Sequence, residues 1–192
     1  MYRKLIFIHM LMLCSLSAGA QTERRIYTKA EQESAQKHGN EKYIRAVQDS
    51  VRAAEALAAL ERLDFVLEAN RLAFKRRSTA FVTSNTNFIS LSDDKAVIQI
   101  APFWGGGPNG VGGITLEGRA SNIRLKTDKK GNITLTFNVL GTALSATVDV
   151  HVPLNSYTGS VTVTPNFHSN WVTLYGTLVP ASESCVFKGK TL

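Results

Sequence analysis

Ser145, Asp149 and His151 supply, within one stretch, the nucleophile, acid and base types of a hydrolytic triad. The stretch alternates apolar and polar residues from Thr142 to Val152, which places it on a strand. Alternate residues of a strand stand about 7 Å apart, so Ser145 and His151 are separated by about 20 Å. A proton transfer between them is excluded, and the three residues read as a solvated face. His38, His151 and His168 lie on three different elements, with no His-x-His or Cys-x-x-Cys spacing to gather ligands. Neither a metal nor a cofactor is expected. Cys185, without a partner nearby in sequence, reads as a small buried apolar residue rather than a nucleophile.

The one low-complexity stretch, Ala101–Gly113, contains six glycines and two prolines. Phosphate loops run from a strand through a glycine turn into a helix, so that amides and the helix dipole face the anion. Here the glycines open onto another extended segment, Ile114–Leu116, and no Gly-Lys-Ser/Thr follows. The stretch therefore reads as a connection whose glycines permit close backbone approach. Phe103 and Trp104 stand beside those glycines, and Trp171 opens a later strand. Aromatic side chains at the rim of a sheet can stack on a sugar or close over an apolar ligand. These three are the candidate ligand-binding residues; the alternative is that the rings fold inward to cap the core.

The elements that must position them are mostly strands. In Asn132–Val139 the odd positions are apolar and the even ones polar, the period of a half-buried strand. Asp128-Lys129-Lys130-Gly131 is a turn, so Ile123–Thr127 and Ile133–Val139 form a hairpin. Leu144, Ala146, Val148, Val150 and Val152 share one face of the next strand, which stops at Pro153. Tyr157–Thr164 and Trp171–Val179 follow. Upstream, Ala80–Ser84, Phe88–Ser92 and Ala96–Ile100 are further strands, and a change of parity between Leu116 and Ile123 calls for a bulge around Gly118–Ser121.

The first half differs in kind. Lys29–Glu61 is rich in Ala, Glu, Gln, Lys and Arg without proline, and Ile44, Val47, Val51, Ala54 and Ala58 form a thin apolar stripe. Gln21–Asn40 is polar and ends in Gly39-Asn40, so the reading is a polar tether over 21–40 and a helix over 41–61. Asp64–Leu72 fits helix and strand equally. Ahead of all this, Arg3, Lys4, the apolar run Leu5–Leu16 and Ala18-Gly19-Ala20 have the order of a cleavable signal peptide over 1–20. A periplasmic or secreted protein follows, with no transmembrane segment after cleavage. Leu13 ahead of Cys14 is not the small residue a lipidation site places there.

The net charge of +7 includes Arg3 and Lys4, leaving +5 on the mature chain, spread over both halves. Such a mild excess does not indicate nucleic-acid binding. With Cys185 the sole cysteine after cleavage, no internal disulfide is available.

Phe65–Ala69, Asn87–Leu91, Gly112–Gly118, Lys129–Gly131, Ser160–Val163 and Leu174–Leu178 together resemble a family of exported Gram-negative bacterial proteins known as domain of unknown function 4251. The resemblance covers roughly Leu60–Lys188 and implies that the segment after the helix opens the sheet, so Asp64–Leu72 is read as a strand. It implies no catalytic residue. The family pattern carries a more tyrosine-rich loop where Phe103-Trp104-Gly105-Gly106-Gly107 stands here.

The reading is an α+β protein: an N-terminal helix followed by a mostly antiparallel β-sandwich or incomplete barrel of about eight or nine strands over 62–192. Its expected function is non-enzymatic, binding a small apolar or carbohydrate ligand. The alternative is a structural or assembly partner of another cell-envelope protein through the helix.

Overall fold

The computed structural model describes residues 28–75, 78–102, 106–142, 145–167 and 170–191. The chain divides into two compact units, Met1–Tyr43 and Ile44–Leu192. Helix α1 (Lys29–Glu61) supplies the described part of the first and the opening of the second.

In the first unit the helix begins on a capping box. Glu31 Oε2 accepts from the Thr28 amide at 2.8 Å, and Thr28 Oγ1 accepts from the Glu31 amide at 3.3 Å. Two amides that a helix start leaves without partners are thereby satisfied. Helix therefore runs through Gly39 and Asn40, where the sequence suggests a tether. A single interior glycine costs only about 1 kcal/mol relative to alanine.

The second unit is an antiparallel meander. Its strands are β1 (Asp64–Phe74), β2 (Thr79–Phe81), β3 (Phe88–Ser92), β4 (Lys95–Ile100), β5 (Ile114–Thr127), β6 (Ile133–Gly141), β7 (Ser145–Val152), β8 (Thr158–Pro165) and β9 (Val172–Pro180). Each of β3 to β8 pairs with the next, and β9 returns to pair with β1 from Phe65↔Pro180 to Phe74↔Val172. The expectation of a sandwich or incomplete barrel is thus corrected: eight strands close into a barrel, and the protein is mostly β with one N-terminal helix. Short β2 pairs with the second half of β1, while β3 pairs with the first half.

Closure depends on local irregularities that bend strands. The register of β1 against β9 shifts between Ala69 and Arg71, and there β9 carries Gly176. A Cβ at Gly176 would stand 2.0 Å from the Glu68 carbonyl oxygen, so only glycine lets the strands approach at this bend. On β5 the bulge falls between Ser121 and Arg124, slightly later than the sequence suggests, with Asn122 at φ 53°. Beyond it β5 outruns β4 and continues as a hairpin with β6 alone. Leu125, paired with the buried Leu135, is accordingly left 42% exposed.

Eight strands enclose an interior just wide enough for side chains to fill. Leu67, Ile98, Phe137, Val148, Val161 and Leu174 fill it, none more than 3% exposed. The alternation read from Ile133–Val139 and Ala146–Val152 holds in full, each apolar position facing inward. Leu144 lies outside the described residues.

Candidate functional site

Of the three candidate aromatics, Phe103 and Trp104 lie outside the described residues. Trp171, 38% exposed, precedes β9 and lines a cleft of about 220 Å³ with Phe74, Lys75, Ser78 and Asn170. It does not fold wholly inward.

The described part of the glycine stretch is organised by Asn109. Its Oδ1 accepts from the amides of Val111 at 3.0 Å and Gly113 at 2.9 Å, and its Nδ2 donates to Thr115 Oγ1 at 3.2 Å. The Gly110 and Gly112 amides donate to the carbonyls of Gly107 and Gly106. These donors are occupied within the loop, so they are not presented to an anion as a phosphate loop would present them.

Outside the barrel wall the chain does something the sequence did not announce. After the 3-10 turn Ala181–Glu183, the tail crosses the outer face of β1, β3, β4 and β5. Ser184 Oγ donates to Glu68 Oε1 at 2.6 Å, and the Phe187 and Lys190 amides donate to the carbonyls of Asn85 and Asn109. Gln99 points outward from β4 yet is fully buried beneath this tail. Its Nε2 donates to the carbonyls of Thr86 (3.0 Å) and Phe187 (2.8 Å), and its Oε1 accepts from Thr115 Oγ1 (2.7 Å) and the Gly189 amide (2.8 Å). Every bond the carboxamide can make in this setting is made, which is what allows a polar side chain to be buried there. Lys188 bonds the Glu117 carboxylate, with Thr191 as a further donor, and holds that carboxyl below the usual range. Cys185 sits on this tail and is exposed, correcting its reading as a buried residue.

The hydrolytic constellation does not assemble. Thr136 Oγ1 donates to Asp149 Oδ1 at 2.7 Å, and Ser145 Oγ accepts from Asn166 Nδ2 at 3.0 Å. His151 is exposed and stands opposite Thr134 and Ser160 on neighbouring strands. His38 lies beside Glu41 on the helix, 3.8 Å away, while His168 is outside the described residues. Among the described residues no group of three His, Cys, Asp or Glu gathers to hold a metal.

The larger concavity is at the other end of the barrel, where the Ile44–Glu61 part of α1 packs. Ala53, Ala56, Ala59 and Leu60 are its buried residues, at most 7% exposed. Alanines let the helix axis come close to the turns beneath it. Tyr157, just ahead of β8, pins this face: its hydroxyl donates to Asp49 Oδ1 at 3.2 Å and its ring lies under the Arg52 guanidinium. Ser50, Ala54, Leu57 and Glu61 then overhang a groove of about 490 Å³, floored by Ile133, Val152 and the Pro153–Ser156 turn. Leu154, 56% exposed, and Leu57, 38% exposed, put apolar surface at its mouth. This groove is barely legible in the sequence. Its only signal there was the leucine of Pro153-Leu154-Asn155, a large apolar residue in a turn with no strand face to bury it. The stripe Ile44, Val47 and Val51 does not take part, since all three remain exposed.

A family model described as domain of unknown function (DUF4251) matches residues 47–178. A crystal structure of a DUF4251 family protein from Bacteroides eggerthii is 41% identical, with a TM-score of 0.63, the alignment covering 72% of this chain and 94% of that one. No curated protein matches the chain. The chain belongs to the DUF4251 family.

Proposed function

We propose that this DUF4251 family member is an exported, non-enzymatic binding protein that takes a small apolar ligand into the groove beneath α1. One observation carries the reading: a concavity of about 490 Å³ whose walls are largely alanine, leucine, isoleucine, valine and proline side chains. A groove of that size falls within the range of small-molecule sites, and the polar groups at its margin, Ser50, Glu61, Asn155 and Ser156, suffice to orient one end of a ligand. Export rests on the leader-like order of Arg3, Lys4, Leu5–Leu16 and Ala18-Gly19-Ala20. The absence of catalysis rests on the separation of Ser145, Asp149 and His151.

A second place for a ligand, here one with a sugar ring to stack, is the rim cleft at Trp171, with Phe103 and Trp104 the further candidates from the sequence. Titration with an apolar fluorescent probe separates the two. The substitution Leu154→Glu puts a charge at the mouth of the groove and is expected to weaken probe binding at least about tenfold, roughly the 1.4 kcal/mol of one lost apolar contact. Trp171→Ala is expected to leave it unchanged. The reverse pattern moves the site to the rim, and no binding by the parent protein removes the proposal.

A further inference from the structure

The groove beneath α1 is charged at one end. Its helix edge is the stripe Ser50, Ala54, Leu57 and Glu61, which runs about 16 Å along the helix axis and finishes on the carboxylate. Ser50 Oγ donates to the Ala46 carbonyl, and Ser156 Oγ donates to the Thr158 carbonyl while accepting from the Thr158 amide. Those two hydroxyls are engaged with nearby backbone. Among the described residues Glu61 is the sole charged group lining the groove, and its carboxylate makes no hydrogen bond or ion pair with any of them. Arg62 follows it in the chain, and Lys129 and Lys130 stand in the turn before Gly131. All three are exposed to solvent, which screens them, and none lines the groove.

We propose that the ligand of this groove is a cationic amphiphile, an alkyl chain ended by an ammonium group that Glu61 holds. The inference rests on the groove being the binding site and adds the head group. A carboxylate only accepts hydrogen bonds, and an ammonium offers three donors together with the opposite charge. A hydroxyl head offers one neutral donor, and a carboxylate head offers none and is repelled. Ala54, Leu57, Ile133 and Val152 present apolar side chains, so an extended chain lying along the helix keeps its length among them while its head reaches Glu61. The helix adds to the carboxylate: Glu61 stands at its C-terminal, negative end, and its last turn holds no basic residue. Because Glu61 is exposed, water weakens the pair, which therefore sets a preference among head groups, while burial of the chain supplies the affinity.

Displacement of the apolar fluorescent probe by decylamine, decanol and decanoate tests this, below their micelle-forming concentrations and at about pH 7, where the amine and the acid are both charged. Decylamine is expected to displace the probe at a concentration at least about tenfold lower than decanoate, with decanol between them, and added salt should narrow the gap. Glu61→Gln should bring the amine and the acid within about threefold of each other, and Glu61→Lys should reverse their order. Glu61 is exposed and its carboxylate has no partner to lose, so both variants should keep the parent's circular dichroism spectrum. Decanol equal to decylamine, or a preference for the amine that survives in E61Q, overturns the inference. So does the failure of all three to displace a probe whose binding Leu154→Glu weakens. In each of these cases the groove remains the site; its own failure shows separately, as probe binding indifferent to Leu154→Glu.

Discussion

The outer walls of the barrel make a useful contrast. On β6, β7 and β8 the outward residues are mostly polar, among them Thr134, Thr136, Asn138, Thr147, Asp149, His151 and Thr162, and they remain in contact with solvent, linked by cross-strand bonds such as Thr136 to Asp149. On β3, β4 and β5 the outward residues include Phe88, Gln99 and Thr115, none more than 2% exposed, because the C-terminal tail lies over them. Both walls obey the same alternation. What separates them is whether another segment supplies partners for the polar groups, and that decides whether the wall is an open surface or part of the protein's interior. A buried carboxamide is tolerable only when each of its atoms is bonded, whereas a half-exposed carboxylate can exchange a lost partner for water.

Three experiments break or sharpen that contrast. The largest effect is expected from Gln99→Ala, which leaves the Phe187 carbonyl, the Gly189 amide and Thr115 without their shared partner under the tail. A loss of about 2–4 kcal/mol in urea unfolding is expected; a loss below about 1 kcal/mol would mean that the tail is not fixed to this wall. Asp149→Ala on the open wall removes one half-exposed bond and should cost about 0.5–1 kcal/mol by the same measurement.

The smallest effect is at the margin of the covered wall. The hydrogen bond from Lys188 lowers the Glu117 pKa in the folded state, so its contribution is present above the unfolded value of about 4.3 and is lost as pH falls through the folded value. Both side chains are more than a third exposed, and screening by solvent keeps the term under about 1 kcal/mol. Hydrogen exchange at Gly189 and Lys190 should therefore quicken, relative to the intrinsic rate, only below about pH 4. Lys188→Ala should remove that dependence.

Much of the fold was legible because period-two alternation reports inward and outward faces directly. Asp128–Gly131, with Gly131 at φ 82°, joins β5 to β6 as its residues suggest, and Pro153 ends β7. The segment Asp64–Leu72 was ambiguous by composition; the family resemblance settled it as strand, and it is β1. Closure was not legible, since it depends on the pairing of β1 with β9, which no local pattern encodes. Nor was the covered wall. Gln99 and Thr115 look like any outward polar residues until the tail that bonds them is placed. The start of the helix is marked in the sequence by Thr28-x-x-Glu31, a capping signal that the reading of 21–40 from polarity and Gly39-Asn40 leaves out. The groove beneath α1 escaped because its lining comes from the helix and two separate turns, with no motif in any one of them.

The pairing of β1 with β9 also fixes an order of events. Phe65 faces Pro180, so the strand made first cannot complete its hydrogen bonds until the strand made last has left the ribosome. Contacts so far apart in sequence slow folding, because the loop-closure entropy is lost before the contact forms. A nascent chain lacking β9 carries eight strands and two unsealed edges, the edges from which strand addition and aggregation begin. Shortening the chain ahead of Val172 should therefore yield an aggregating species rather than a smaller barrel, and synthesis and folding of this protein are events in series.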